Sequence, residues 1–309
     1  MSLVVVGSVA LDSVETPFGR AEEVLGGSAS FFSAAASLFH PVQLVGVVGD
    51  DFPLDALDFL KPRGVDLGGL STEHGESFRW SGRYDYDLNT AHTLETRLGV
   101  FADFDPVLPQ SFRSADWVFL ANIDPELQLG VLEQVEKPRL IAADTMNYWI
   151  AGKRDALVEL IGRIDVLLLN DAEIRQLTGQ MNLARAARAV MEMGPSTVVV
   201  KKGEHGAMLF SGDAVFFVPG YPLETIFDPT GAGDSFAGGF LGYLARSGST
   251  DIDHLRRAMV FGSALGSFAV EAFSVERLVA LTEGEVIDRV GRFRDMTRFR
   301  MPEPAAAET

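Results

Sequence analysis

The sequence predicts an α/β fold, a doubly wound and mostly parallel sheet with helices on both faces, and two observations carry that expectation. Short β-branched runs alternate with amphipathic stretches along most of the 309 residues, as in sheets whose strands are buried on both sides. The composition, 47% hydrophobic and 22% charged, supplies a large core.

Leu3–Val6 is the first strand, an apolar run stopped by Gly7-Ser8. The helix Ser28–Phe39 follows a Gly-Gly pair, and Gln43–Val48 is the next strand. Ser77–Asp87 breaks the pattern. Phe78, Trp80, Tyr84 and Tyr86 fall on one face at period two, with Ser77, Arg79, Ser81, Arg83 and Asp85 on the other. With the extended stretch Thr90–Leu98 this predicts an antiparallel excursion, either a surface hairpin or a flap whose aromatic face covers something. Trp117–Leu120, Leu140–Ala143, Val166–Leu169 and Thr197–Val200 continue the sheet, and Ala207–Phe210 follows a Gly-rich turn. Asp155–Ile161, Leu183–Met193 and Asp234–Arg246 are interposed helices. One domain over 1–300 is expected, with a tail 301–309 too Pro/Ala-rich and aperiodic to pack.

Charge and cysteine content exclude function classes. With 26 Lys+Arg against 43 Asp+Glu the net charge is −17, and without a basic run phosphate backbones and anionic membranes would repel the chain. The absence of cysteine removes disulfides, thiolate metal sites and cysteine nucleophiles. No apolar stretch approaches the ~20 residues of a membrane span, and the first residues lack a basic leader, so a cytoplasmic protein is expected.

The strongest local signal is DPTGAGDSFAGGF, residues 228–240. Gly231-Ala232-Gly233 is a turn of small residues opening a helix, where backbone N–H groups converge into an anion hole. Asp234 sits in the first turn, where the helix dipole favours its ionised form and where it could take a proton from a hydroxyl attacking a phosphoryl group. This segment resembles the C-terminal signature of the ribokinase-like (PfkB) family of carbohydrate and nucleoside kinases. The resemblance implies ATP-dependent phosphorylation of a hydroxyl, Asp234 as general base, and the amides of Gly231, Ala232 and Gly233 on the moving phosphoryl. It also places Asp228 and Thr230 where many members bind a monovalent cation, leaving potassium activation open.

Further matches follow in the family's order over about residues 3–275. Asn170-Asp-Ala-Glu173 by itself is a helix capping box; by resemblance it is the Asn-x-x-Glu motif that organises Mg2+ and its waters around the nucleotide. Lys201-Lys202-Gly203-Glu204-His205-Gly206 by itself is a Gly-rich turn. By resemblance, Lys202, Gly203 and Gly206, with Asn170, contact ATP. Asp12, in the turn after the first strand, and Gly26-Gly27 resemble the family's substrate motif; Asp144 and Asn147 resemble a further pair near the phosphates. Segments 13–23 and 76–98 fit the family's small β lid, through which several members also form homodimers.

The departures concern the acceptor. Phe31 replaces the usual sugar-binding Asn and would have to stack on a ring instead. Leu54 stands where Gly is common, and Tyr148-Trp149 replace a basic residue, which disfavours an acidic sugar. The expectation is therefore an ATP- and Mg2+-dependent kinase of a small sugar or sugar-like polyol. A nucleoside (adenosine-type) or cyclitol acceptor is the alternative, and a catalytically silent ligand-binding protein on the same fold is the alternative of another class. Neither the dinucleotide fingerprint G-x-G-x-x-G nor the P-loop is present.

Overall fold

A run of three valines near the start of the chain ends up inside the main sheet, on the third strand from one edge. The structure, a computed structural model, describes residues 2–299; the tail expected over 301–309 lies outside the described residues. In chain order the elements are β1 (Leu3–Val6), β2 (Ala10–Thr16), β3 (Gly19–Gly26), α1 (Ser28–Ala36), β4 (Val42–Gly49), β5 (Val65–Glu73), β6 (Arg79–Tyr84), β7 (Ala91–Arg97), β8 (Trp117–Leu120), α2 (Pro125–Leu132), β9 (Leu140–Asp144), α3 (Asn147–Gly152), α4 (Arg154–Ile161), β10 (Val166–Asn170), α5 (Asp171–Thr178), α6 (Leu183–Met191), β11 (Thr197–Lys201), β12 (Ala207–Ser211), β13 (Ala214–Val218), α7 (Ala232–Ser247), α8 (Ile252–Ala269), α9 (Glu276–Ala280) and α10 (Glu283–Thr297).

The main sheet has nine strands in the order β13-β12-β11-β10-β9-β8-β1-β4-β5. Pairing is parallel from β11 to β5 and antiparallel at β12 and β13. From β1 the chain winds outward to β4 and β5, then returns to β8 and winds the other way, so the order reverses beside β1. In open α/β sheets the crevice beyond the carboxyl ends at such a reversal receives ligands. Alternation along the strands splits the core. Leu3, Val5, Leu168 and Val199 pack under α1, α7 and α8, whereas Val4, Val6, Leu167 and Val198 pack against the helices of the other face. No described helix is long and apolar enough to cross a membrane.

A second sheet of four strands, β3-β2-β6-β7, consists of two antiparallel hairpins joined by parallel pairing of β2 with β6. Its first hairpin runs from Ala10 to Gly26, wider than the expected 13–23. Asp12 is consequently a strand residue, opposite Val24 and Trp80, and not part of a turn. β6 ends at Tyr84; against β7 its register skips Leu94 between Ser81 and Gly82, while its pairing with β2 runs unbroken, so the alternation expected from Phe78 continues through the strand to Tyr84. Trp80 folds over Gly82, whose missing side chain leaves room for the indole. Tyr84 turns toward Thr230, and Tyr86, beyond the strand, is 81% exposed. The sheet is rooted by Asp51, which accepts from Ser77 N–H (2.8 Å) and Ser77 Oγ (2.6 Å) and pairs with Arg79 at 2.7 Å.

Candidate functional site

The candidate site forms where the carboxyl ends of β1, β9, β10 and β11 meet the start of α7 and the second sheet. Gly231 has φ +72°, the left-handed region, and caps α7. A side chain there would run into the ring of Phe31, which is 2% exposed on α1. Phe31 thus offers almost no surface for stacking on a ligand; its ring is the wall against which the Gly231 turn is built. Of the three amides expected in the anion hole, that of Ala232 donates to Pro229 O at 3.2 Å and so serves the turn itself. Gly231 and Gly233 remain first-turn donors of a sixteen-residue helix.

Asp234 lies in this first turn. Burial and the nearby Asp144 carboxylate raise it to about 7, against the opposing pull of Lys201 and of its own N–H. Asp12, on β2, is raised to about 7 by burial and by Asp228 and Asp234, with the Gly27 N–H opposing. Its carboxylate occupies the space where a Gly26 side chain would be, and a Cβ on Gly27 (φ +93°) would stand 2.5 Å from Ser8 O. The Gly-Gly pair therefore exists to let two backbone segments and one carboxylate close together. Ser8 and Ser28 lock the same corner: each N–H donates to the other's Oγ, at 3.2 and 3.0 Å.

Three further acids complete the cluster. Asp144, at the end of β9, accepts from Thr145 N–H through Oδ1 (2.8 Å) and from Lys201 Nζ through Oδ2 (2.8 Å). Glu173 forms a full capping box with Asn170: Oε2 accepts from Asn170 N–H at 2.6 Å, while Asn170 Oδ1 accepts from Glu173 N–H at 2.8 Å. It is 9% exposed and raised to about 7 by burial, Lys201 opposing and Asp144 reinforcing. Asp228 is 1% exposed, and burial raises it despite hydrogen bonds from Thr230 N–H (2.8 Å) and Ser274 N–H (3.2 Å). Thr230 Oγ1 meets Tyr84 Oη at 3.3 Å, bringing the second sheet onto the site.

Among the described residues no three acids or histidines group as a metal cage. Mg2+ shared with phosphates keeps most of its waters and needs only one or two carboxylates, and the Asn170–Glu173 pair beside Asp144 fits that demand. Asp228 is buried, holds the N–H groups of Thr230 and Ser274, and has no ion-pair partner among the described residues.

The Nζ of Lys202 lies 5.5 Å over the Phe217 ring, and Gly203 (φ +52°) and Gly206 (φ +83°) build the tight turn beside it. Lys201 turns the other way, into the acidic cluster. Period two in β11 places Lys201 with Val199 on the α7 face, a signal present in the sequence. Tyr84 carries a local signal in the aromatic alternation of β6, whereas Ser274 carries none, because a tertiary contact alone brings it to Asp228.

A family profile described as pfkB family carbohydrate kinase matches residues 2–279. The cytidine kinase of Thermococcus kodakarensis is 31% identical over 252 residues, covering 80% of this chain and 89% of that protein. A nucleoside kinase of Methanothermobacter thermautotrophicus is 27% identical over 281 residues, 90% of this chain and 88% of that protein. Among solved structures, aminoimidazole riboside kinase from Salmonella enterica, complexed with aminoimidazole riboside and an ATP analog, superposes with a TM-score of 0.75 at 22% identity, covering 94% of this chain and all of that one.

Proposed function

The chain belongs to the pfkB family of carbohydrate kinases, ATP-dependent phosphotransferases acting on hydroxyl groups, and we propose that its acceptor is a nucleoside, phosphorylated on its ribose. The observation that carries the chemistry is the position of Asp234 in the first turn of α7, directly behind the Gly231–Gly233 turn. Asp234 takes the proton of the acceptor hydroxyl as that oxygen bonds to the terminal phosphorus. The bond to the bridging oxygen breaks, and its electron pair leaves with ADP. The Gly231 and Gly233 amides and the α7 dipole face the charge on the transferring group. Asp12 accepts hydroxyl hydrogens of the acceptor, with the backbone of Gly26-Gly27 beneath it. Asn170 and Glu173 would hold Mg2+ through its waters, and when bound the ion offsets phosphate charge. A monovalent cation beside Asp228 and Thr230 would act likewise.

The sequence favoured a free sugar or polyol; the named relatives favour the nucleoside. Two features of this chain agree with them. Phe31, where a sugar-binding Asn is common, is committed to packing, and Tyr148-Trp149 replace a basic residue, leaving an aromatic pair in T-shaped contact on α3, just after β9. The test is ADP release with Mg2+ and ATP over a panel of cytidine, inosine, adenosine, aminoimidazole riboside, free ribose and a cyclitol. At least one nucleoside should exceed ribose in kcat/KM by about 10²-fold or more, since a site shaped around a second ring discriminates against its absence. A free sugar turned over faster than every nucleoside would overturn the acceptor assignment. An active Asp234→Asn variant would overturn the base.

A further inference from the structure

We propose that Lys201, aimed by Asp144, is a catalytic residue that donates to the terminal phosphoryl group of ATP. The inference rests on the Gly231–Asp234 turn being the phosphoryl site.

Position is the first argument. A Cβ on Gly233 would lie 3.0 Å from Lys201 Nζ, so the ammonium stands directly beside the turn. Charge is the second. Asp144, Glu173 and Asp234 all act on this ammonium, and among the described residues no other lysine or arginine pairs with any of them. An anionic triphosphate approaching this cluster needs a compensating cation. Burial works against the charge on Lys201, but its three acidic neighbours outweigh it and keep the side chain a cation. Direction is the third. Asp144 is itself fixed: Thr145 N–H holds its Oδ1, and Gln128 Nε2 holds its main-chain oxygen at 3.2 Å. The bond to Asp144 uses one of the three ammonium hydrogens, leaving two for phosphoryl oxygens. Asp144 is thus a positioning residue, acting through the lysine.

A purely structural ion pair would look similar, so the test uses Lys201→Met, Lys201→Arg and the double variant Lys201→Met/Asp144→Asn, in which both members of the ion pair are neutralised together. Nucleotide affinities come from calorimetry with Mg2+, independently of any acceptor. Lys201→Met should weaken ATP binding about tenfold or more and ADP binding less than about threefold, with turnover down roughly 10²–10³-fold, the range for losing one preorganised donor. Lys201→Arg should recover part of the turnover. The double variant should regain the melting temperature but neither turnover nor the preference for ATP. Recovery of turnover by the double variant, or equal effects of Lys201→Met on ATP and ADP, would refute the assignment. A wild-type protein that binds neither nucleotide would defeat the kinase reading itself, and the role of Lys201 with it.

Discussion

At Asp234 a carboxylate is made to titrate near neutrality by burial and by Asp144. A base works only when ionised, so kcat/KM should rise with pH through about 7 and fall away below it. Asp12, also raised to about 7, steepens that limb if the acceptor needs it ionised. Removing Lys201's charge should move the limb to higher pH, because Lys201 pulls Asp234 down. Asp234→Ala should bind ATP almost normally yet lose roughly 10²–10⁴-fold in turnover, which single-turnover kinetics would resolve. Gly231→Ala tests the turn behind it. The added methyl meets the Phe31 ring and must accept φ +72°, so the variant should lose about 1–3 kcal/mol of stability, measured by denaturant unfolding, and most of its activity.

Among the elements, α5 begins with residues that could serve two masters. Asn170→Ala removes the cap and should cost about 1 kcal/mol. Glu173→Gln keeps the capping geometry and removes the charge, so an unchanged Mg2+ requirement in that variant would leave Glu173 a cap only; the expected outcome is a half-saturating Mg2+ concentration raised severalfold. In the second sheet, Tyr84→Phe should raise the acceptor KM without altering ATP affinity, since only the contact with Thr230 is lost. The legibility of these elements from sequence follows from how local their causes are. The valine-rich parallel strands and the turn at 228–234 were plain, because period, burial and glycine placement act within a few residues. Gly7-Ser8 suggests a turn at Asp12, whereas pairing with Val24 and the distant Trp80 makes this segment a strand. The alternation at 78–86 is local and continues through β6, but what its aromatics meet is not: Phe78 stacks on Phe101 and Tyr84 reaches Thr230. Lys201 and Lys202 carry the same charge, and only the alternation of faces along β11 separates them, sending Lys201 into the acidic cluster and Lys202 over Phe217.

For the whole molecule, the net charge of −17 and the three acids raised to about 7 act in the same direction. Between about pH 4, where such acids ionise in the unfolded chain, and about 7, the native state binds more protons than the unfolded state, so stability falls as pH rises across that window. The ligand-free protein should melt at a higher temperature at pH 5.5 than at pH 8, and Asp12→Asn should reduce that slope; a flat profile would contradict the burial of these groups. Added salt should raise the pH 8 value by screening self-repulsion. The placement of β1 carries a last consequence, for how the chain reaches this state. Its first strand pairs on one side with β4 soon after synthesis, but its other edge waits for Trp117–Leu120, and Asp228 waits for Ser274. Until then an apolar edge lies open to wrong partners. Refolding should therefore show sheet signal before catalytic competence, and C-terminal truncations ending before Ser274 should yield no partial enzyme.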